Sequence, residues 1–160
     1  MLTVKDKNFV PFIEKQALEE RIAEVGREIS EDYRDKNPLF VVVLNGSFMF
    51  AAELMKNVSI ACEITFVRVS SYSKTESTGE LTEILGLKES IHDRHVIIVE
   101  DIVDTGNTLE SLFEYFKNTQ RPKSLKVASL LMKPEVFKNR FPIDYVAKEI
   151  PNKFVLGYGL

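Results

Sequence analysis

VIIVEDIVDTGNTL, Val96 to Leu109, decides the fold. With His95 before it, the run HVIIVE is apolar, β-branched and unbroken, the pattern of a strand covered on both faces, as in a parallel sheet. It ends in two adjacent carboxylates, Glu100 and Asp101. Ile102, Val103 and Asp104 follow, then Thr105-Gly106-Asn107-Thr108 leads into Leu109, Leu112, Phe113 and Phe116 at helical spacing. The same rhythm recurs outward in both directions. LFVVVL, Leu39–Leu44, is a second buried strand that breaks at Asn45-Gly46-Ser47 before a helical FMFAAELMKN. CEITFVRV (Cys62–Val69), LKVASLL (Leu125–Leu131) and the short DYVAK (Asp144–Lys148) read as further strands. Leu18, Ile22, Val25 and Ile29 mark an amphipathic helix between Glu14 and Tyr33. Strands alternating with helices predict right-handed crossovers, and so an α/β fold with a mostly parallel central sheet flanked by helices. If the sheet winds one way and then the other, the Leu44 and Glu100 ends lie side by side at the switch point, where such sheets bind ligands.

Composition narrows the class. At 160 residues the expectation is one domain, 1–160. The chain is 44% hydrophobic and carries 21 basic against 24 acidic residues, net −3, which suits a folded, soluble chain and disfavours a broad nucleic-acid face. A single cysteine, Cys62, excludes an internal disulfide framework; it reads as a small buried hydrophobe in a reducing compartment. No apolar run is long enough to span a bilayer, and MLTVKDKNF lacks a signal-peptide core, so the expected location is cytoplasmic, away from membranes. The P-loop, G-x-G-x-x-G and G-x-S-x-G patterns are all missing. His92 and His95 stand alone, weak as a metal pair and better read as solvated or capping residues.

The chemistry concentrates at two turns. A Thr-Gly-Asn-Thr turn opening a helix presents backbone N–H groups and hydroxyls suited to phosphate. Acids just before such a cradle would repel an anion unless they hydrogen-bond sugar hydroxyls, approach a divalent metal, or act as a base. The competing reading makes Asp104 or Thr105 an ordinary helix cap. It does not account for Glu100-Asp101 and Asp104-Thr105-Gly106 together at the end of a wholly apolar strand. With Asn45-Gly46-Ser47 as a second anion-friendly turn beside the first, the crevice suits a ligand with phosphates at both ends. From Ser70 to Gly86, SSYSKTESTGELTEILG is polar and glycine-punctuated, and reads as a long functional or mobile loop, with an exposed hairpin of no consequence as the alternative.

These residues resemble the type I phosphoribosyltransferases, and within them the hypoxanthine-guanine branch. VIIVEDIVDTGNTL is similar to the family's phosphoribosyl-pyrophosphate motif, VVVLNGSFMFAAEL to its pyrophosphate loop and SSYSKTESTGEL to its mobile catalytic loop. SLLMKPE and EIPNKFVLGYGL resemble its purine-contacting segments. The resemblance runs from about Ala17 to Leu160. It implies the family's fold with a small hood from the N- and C-terminal segments, and transfer of a 5-phosphoribosyl group from phosphoribosyl pyrophosphate to a 6-oxopurine in purine salvage. Glu100 and Asp101 would hold the ribose hydroxyls together with Mg2+. Asp104 would be the general acid/base at purine N7, and Thr105, Gly106, Asn107 and Thr108 would bind the 5-phosphate. Leu44, Asn45 and Gly46 would approach the pyrophosphate, with a cis peptide before Asn45. Ser71 and Tyr72 would tip the closing loop. Lys133 would donate to the purine 6-oxygen, Phe154 would stack on the ring, and Val155 would recognise it through its backbone. A homodimer or homotetramer is implied as well.

Two departures from the family pattern stand out. Many members carry Lys where this chain has Asn45, so charge compensation at the pyrophosphate must come from metal or elsewhere. The chain also stops at Leu160 where members continue with an Asp and an Arg, so a longer natural protein is expected. The alternative class is a nucleotide-sensing regulator of the same fold without turnover; retention of Asp104 and both acids favours the enzyme. A Mg2+-dependent phosphohydrolase would want D-x-D, whereas the spacing here is D-x-x-D.

Overall fold

The computed structural model describes residues 2–72 and 81–160. An N-terminal hairpin pairs β1 (Leu2–Val4) with β2 (Lys7–Phe9). The chain then runs α1 (Lys15–Asp32), β3 (Leu39–Leu44), α2 (Phe48–Lys56), β4 (Glu63–Tyr72), β5 (Leu81–Leu85), β6 (His95–Val103), α3 (Asn107–Tyr115), a π-helical turn (Phe116–Gln120), β7 (Ser124–Met132) and β8 (Tyr145–Glu149). The main sheet has the order β5-β4-β3-β6-β7-β8, with every neighbouring pair parallel except β4 and β5. This is the expected doubly wound arrangement, with β3 and β6 adjacent at its centre.

Each face of the sheet has its own core. Phe40, Val42, Ile97, Val99 and Ala128 point to the face covered by α1 and α2, where Leu18, Ile22, Val25, Ile29, Phe50 and Leu54 complete the packing. Val41, Val67, Val96, Ile98 and Val127 point the other way, against Leu109, Leu112, Phe113 and Phe116. The unbroken apolar strands follow from this two-sided burial, since a strand covered on both faces cannot alternate with polar residues. Cys62 sits partly buried against the first core, and burial pushes its thiol up.

Two elements differ from the sequence reading. The central strand does not stop at Glu100: β6 continues to Val103, because β7 keeps pairing with it up to Val103–Met132. The acids break the apolar run without breaking the ladder. The Ser70–Gly86 segment is not a simple loop either. β4 runs on to Tyr72, and β5 returns against it with Arg68–Leu85 and Tyr72–Leu81 in register. An edge hairpin has neighbours on one side only, so it needs little apolar patterning. Its tip, 73–80, lies outside the described residues.

The amino end of the sheet is tied down by polar contacts. Tyr145 O–H donates to Asp32 Oδ2 at the end of α1, and Lys126 Nζ donates to Asp32 Oδ2 at 3.2 Å and to Tyr145 Oη at 3.1 Å. His95, read from the sequence as solvated or capping, is neither here: it opens β6, and its Nδ1 lies 2.7 Å from Oγ of Ser124, its partner across the ladder. The Tyr145 hydrogen bond, followed by Lys126, holds Asp32 below the ordinary value of 3.8. A lowered carboxylate contributes stability above its unfolded pKa and loses it as pH falls through the folded one. Asp32→Asn should therefore lower the urea midpoint near neutral pH, and the difference from wild type should shrink as pH falls past the ordinary value of 3.8 and through the lowered folded one.

Candidate active site

The site forms where the central ladder parts. β3 and β6 pair from Leu39–Val96 to Val42–Val99 and no further. Beyond that point β3 stays with β4 through Leu44–Arg68, while β6 stays with β7 through Val103–Met132. The carboxyl ends of the two central strands thus open a crevice, flanked by the Asn45-Gly46-Ser47 turn and by Glu100 to Thr108.

The two sides touch through Gly46. A Cβ there would fall onto Asp101 Oδ2, within 2.6 Å of its Cγ, so only glycine lets the turn lie this close. The Leu44–Asn45 peptide is cis, as the resemblance implied. Ser47, fully buried at the start of α2, spends its hydroxyl on Glu100 Oε1 at 3.3 Å instead of capping the helix. The Asp101 N–H donates to the same oxygen at 3.1 Å, and the Ile102 N–H donates to Asp101 Oδ1 at 2.7 Å. Backbone and hydroxyl donors therefore fix both carboxylates. Burial, and then the adjacent Asp101, push the Glu100 carboxyl well above the ordinary carboxylate range.

Asp104 is not a helix cap. The capping position of α3 is Gly106, in the left-handed region at φ 81°, whose carbonyl accepts from Glu110 N–H at 2.8 Å. The Asp104 carboxylate instead accepts from Lys133 Nζ at 3.0 Å. Lys133 projects from the end of β7 and its side chain is only 8% exposed, against 51% for Asp104, so the lysine is not a solvated strand end. Its backbone N–H closes the Val103 carbonyl at 2.9 Å. Thr105 and Thr108 are exposed at the mouth. Asn107 Oδ1 accepts from Arg140 Nη2 at 2.8 Å and Lys138 Nζ at 3.5 Å, which brings two cations to this turn.

Phe154 is 72% exposed and so is not a core residue. Its ring lies 6.1 Å from Phe9 of the hairpin, with Lys7 Nζ 5.1 Å from the ring centre. Val155 is partly buried against the core, and Gly159 lies against the Gly46 carbonyl and the Phe48 ring. The N-terminal hairpin and the C-terminal segment thus form the hood. A cavity of about 1050 Å³ between them is lined by Phe9, Phe12, Leu130, Phe154, Val155 and Tyr158. Ser71 and Tyr72 stand in the β4–β5 ladder, opposite Thr82 and Leu81, not at a loop tip.

A family model for the phosphoribosyl transferase domain matches residues 13–160, nearly the whole chain. The chain belongs to the phosphoribosyltransferase family. This phosphoribosyltransferase is 44% identical over 137 residues to a hypoxanthine-guanine phosphoribosyltransferase of Streptococcus pyogenes, covering 85% of this chain and 76% of that one. It is 40% identical over 156 residues to the hypoxanthine-guanine phosphoribosyltransferase of Dictyostelium discoideum, covering 94% and 86%. The crystal structure of a hypoxanthine phosphoribosyltransferase from Staphylococcus aureus superposes with a TM-score of 0.83 at 39% identity, covering 91% of this chain and 79% of that one. The mostly parallel sheet with its flanking helices is the type I phosphoribosyltransferase fold.

Three contacts of this phosphoribosyltransferase site have no signal in the sequence, although Ser47 itself belongs to a turn the sequence marks. Ser47 reaches Glu100 across strands, Arg68 donates to Asn45 Oδ1 at 3.0 Å, and Arg140 holds Asn107. All depend on register between distant segments. The phosphate turn itself depends on Gly106, where a Cβ would also come within 2.8 Å of the Phe137 ring. Gly106→Ala should cost about 1–3 kcal/mol in urea denaturation, combining left-handed strain with overlap against Phe137. Unchanged stability would contradict this conformation of the turn.

Proposed function

We propose that this chain transfers the 5-phosphoribosyl group of phosphoribosyl pyrophosphate to a 6-oxopurine, hypoxanthine or guanine, giving IMP or GMP and releasing pyrophosphate. The observation that carries this reading is the crevice between β3 and β6, with an anion-binding turn on either side and two fixed carboxylates between them. A phosphorylated ribose with a second anionic group at its anomeric carbon matches that spacing of chemistries. The Leu44–Gly46 turn receives the pyrophosphate and the Thr105–Thr108 turn the 5-phosphate, through N–H and hydroxyl donors. Glu100 and Asp101 accept hydrogen bonds from the ribose hydroxyls.

The reaction breaks the anomeric C–O bond, which takes its electron pair to the pyrophosphate, and forms a bond from purine N9 to the anomeric carbon. Positive charge grows on the sugar as this happens, and the adjacent carboxylates favour it. Asp104 holds or moves the proton at N7, while Lys133, paired to it at 3.0 Å, presents its ammonium to the 6-oxygen. Phe154, exposed in the hood, is available to stack on the base, and the backbone of Val155 to read its edge. Ser71 and Tyr72, on the strand leading to the hairpin tip, belong to the segment that shields the sugar from water.

Mg2+ is part of the proposal. Among the described residues no three acids, histidines or cysteines converge on a closed metal site. Mg2+ does not require one, since it binds through one or two carboxylates with ligand phosphates and water. Glu100 and Asp101 fit, because the repulsion that helps push Glu100 up is what a divalent cation offsets. When bound, Mg2+ would neutralise charge on the pyrophosphate. Among the described residues no helix is long and apolar enough to cross a membrane. Exposed Phe48 and Phe66 support self-association as a dimer or tetramer, and we place the single domain in the cytoplasm.

An absorbance assay with phosphoribosyl pyrophosphate, Mg2+ and hypoxanthine tests the reading directly, with turnover expected. Asp104→Asn should lower kcat by about a hundredfold or more while leaving the KM for phosphoribosyl pyrophosphate within a few fold. A large loss of sugar-phosphate affinity instead would make its role structural.

A further inference from the structure

We infer that Arg68 is a cation that binds the pyrophosphate group. The inference rests on the transfer reaction proposed above and adds a binding residue to it. Arg68 stands near the carboxyl end of β4, level with Leu44 of β3 and paired on its other side with Leu85 of β5. Its side chain is exposed, and Nη2 donates to Asn45 Oδ1 at 3.0 Å. One N–H of the guanidinium is therefore anchored on the very turn that receives the anion. A guanidinium has five N–H donors in a planar fork, so four remain to meet phosphate oxygens. Because the Asn45 carbonyl is taken by the arginine, the amide group of Asn45 is left as a donor toward the same place.

Electrostatics call for such a group. Gly46 lies against the Asp101 carboxylate, with Glu100 beside it, so the pyrophosphate turn adjoins two acids. Backbone amides donate hydrogen bonds but carry no net charge to offset those acids and an incoming polyanion. Lys133 is committed to Asp104 at the β7 side of the crevice, and Arg140 is held by Asn107 and Glu110 at the 5-phosphate turn. In the strand order β4-β3-β6, Arg68 lies on the opposite side of β3 from both. Its charge therefore acts on the pyrophosphate end of the ligand and not on the 5-phosphate end. A nucleoside monophosphate, which has no group at the pyrophosphate turn, does not meet it.

That selectivity separates a ligand contact from a mere prop for the Asn45 turn. Titration calorimetry with pyrophosphate and Mg2+, and separately with IMP, on wild type and Arg68→Gln should show pyrophosphate affinity falling about ten- to a hundredfold. IMP affinity should stay within about twofold. Arg68→Lys, which keeps the charge but loses the fork, should lose only a few fold for pyrophosphate, and it serves the same comparison if the glutamine variant does not fold. Introducing Asn45→Lys into Arg68→Gln should restore pyrophosphate binding. Unchanged pyrophosphate affinity in Arg68→Gln, or an equal loss for IMP, would overturn the inference while leaving the transferase reading intact. Failure of the wild-type protein to bind pyrophosphate or to turn over hypoxanthine would overturn the transferase reading itself.

Discussion

Where β3 and β6 part after the Val42–Val99 pair, the turn from one strand and the acids of the other are pressed together, with Gly46 against the Asp101 carboxylate and Ser47 bonded to Glu100. This contact sets the distance between the two anion-binding turns. The surrounding apolar packing makes it rigid: Phe40, Val42, Ile97 and Val99 on one face and Val41, Val96 and Ile98 on the other are fully buried. The central strands therefore cannot slide to relieve repulsion at their ends. Two neighbouring carboxylates are held where neither has a cation in contact among the described residues, and the site stores a demand for positive charge and for hydroxyl donors.

The cations that are present are distributed in an orderly way. Lys133 meets Asp104, Arg140 and Lys138 converge on Asn107, and Arg68 meets Asn45. In two of these three places an asparagine stands between the cation and the anion-binding turn, its carbonyl held by an arginine from another element. Both asparagines are thereby oriented with their carbonyls fixed toward protein. The arrangement gives each turn a neutral, directional donor backed by a charge, whereas a lysine would combine the two in one flexible side chain.

Much of the architecture was legible because burial on two faces leaves so plain a mark. The run Leu39–Leu44 matches β3 residue for residue, and the stripe Leu18, Ile22, Val25, Ile29 is the buried face of α1. Legibility failed where the backbone pairs without apolar residues to announce it. β6 passes through Glu100 and Asp101 because Ser129 to Met132 of β7 continue beside it, and β4 and β5 pair across a polar edge. At the site, the acids and the Thr-Gly-Asn-Thr turn could be picked out as motifs. Asp104 could not be separated from a helix cap until α3 was seen to begin after Gly106. Ser47 could be picked out as part of its turn but not as the partner of Glu100, and Arg68 and Arg140 carried no mark, since each of the three acts across a sequence separation of 53, 23 or 33 residues that only the fold brings together.

The most direct measurement is a crystal structure of the protein with phosphoribosyl pyrophosphate and Mg2+. The account predicts the ribose diol within hydrogen-bonding reach of Glu100 and Asp101, the 5-phosphate on the Thr105–Thr108 turn and the pyrophosphate on the Leu44–Gly46 turn. A ligand bound under the hood or on the outer face of the sheet, with the opening between β3 and β6 vacant, would contradict it.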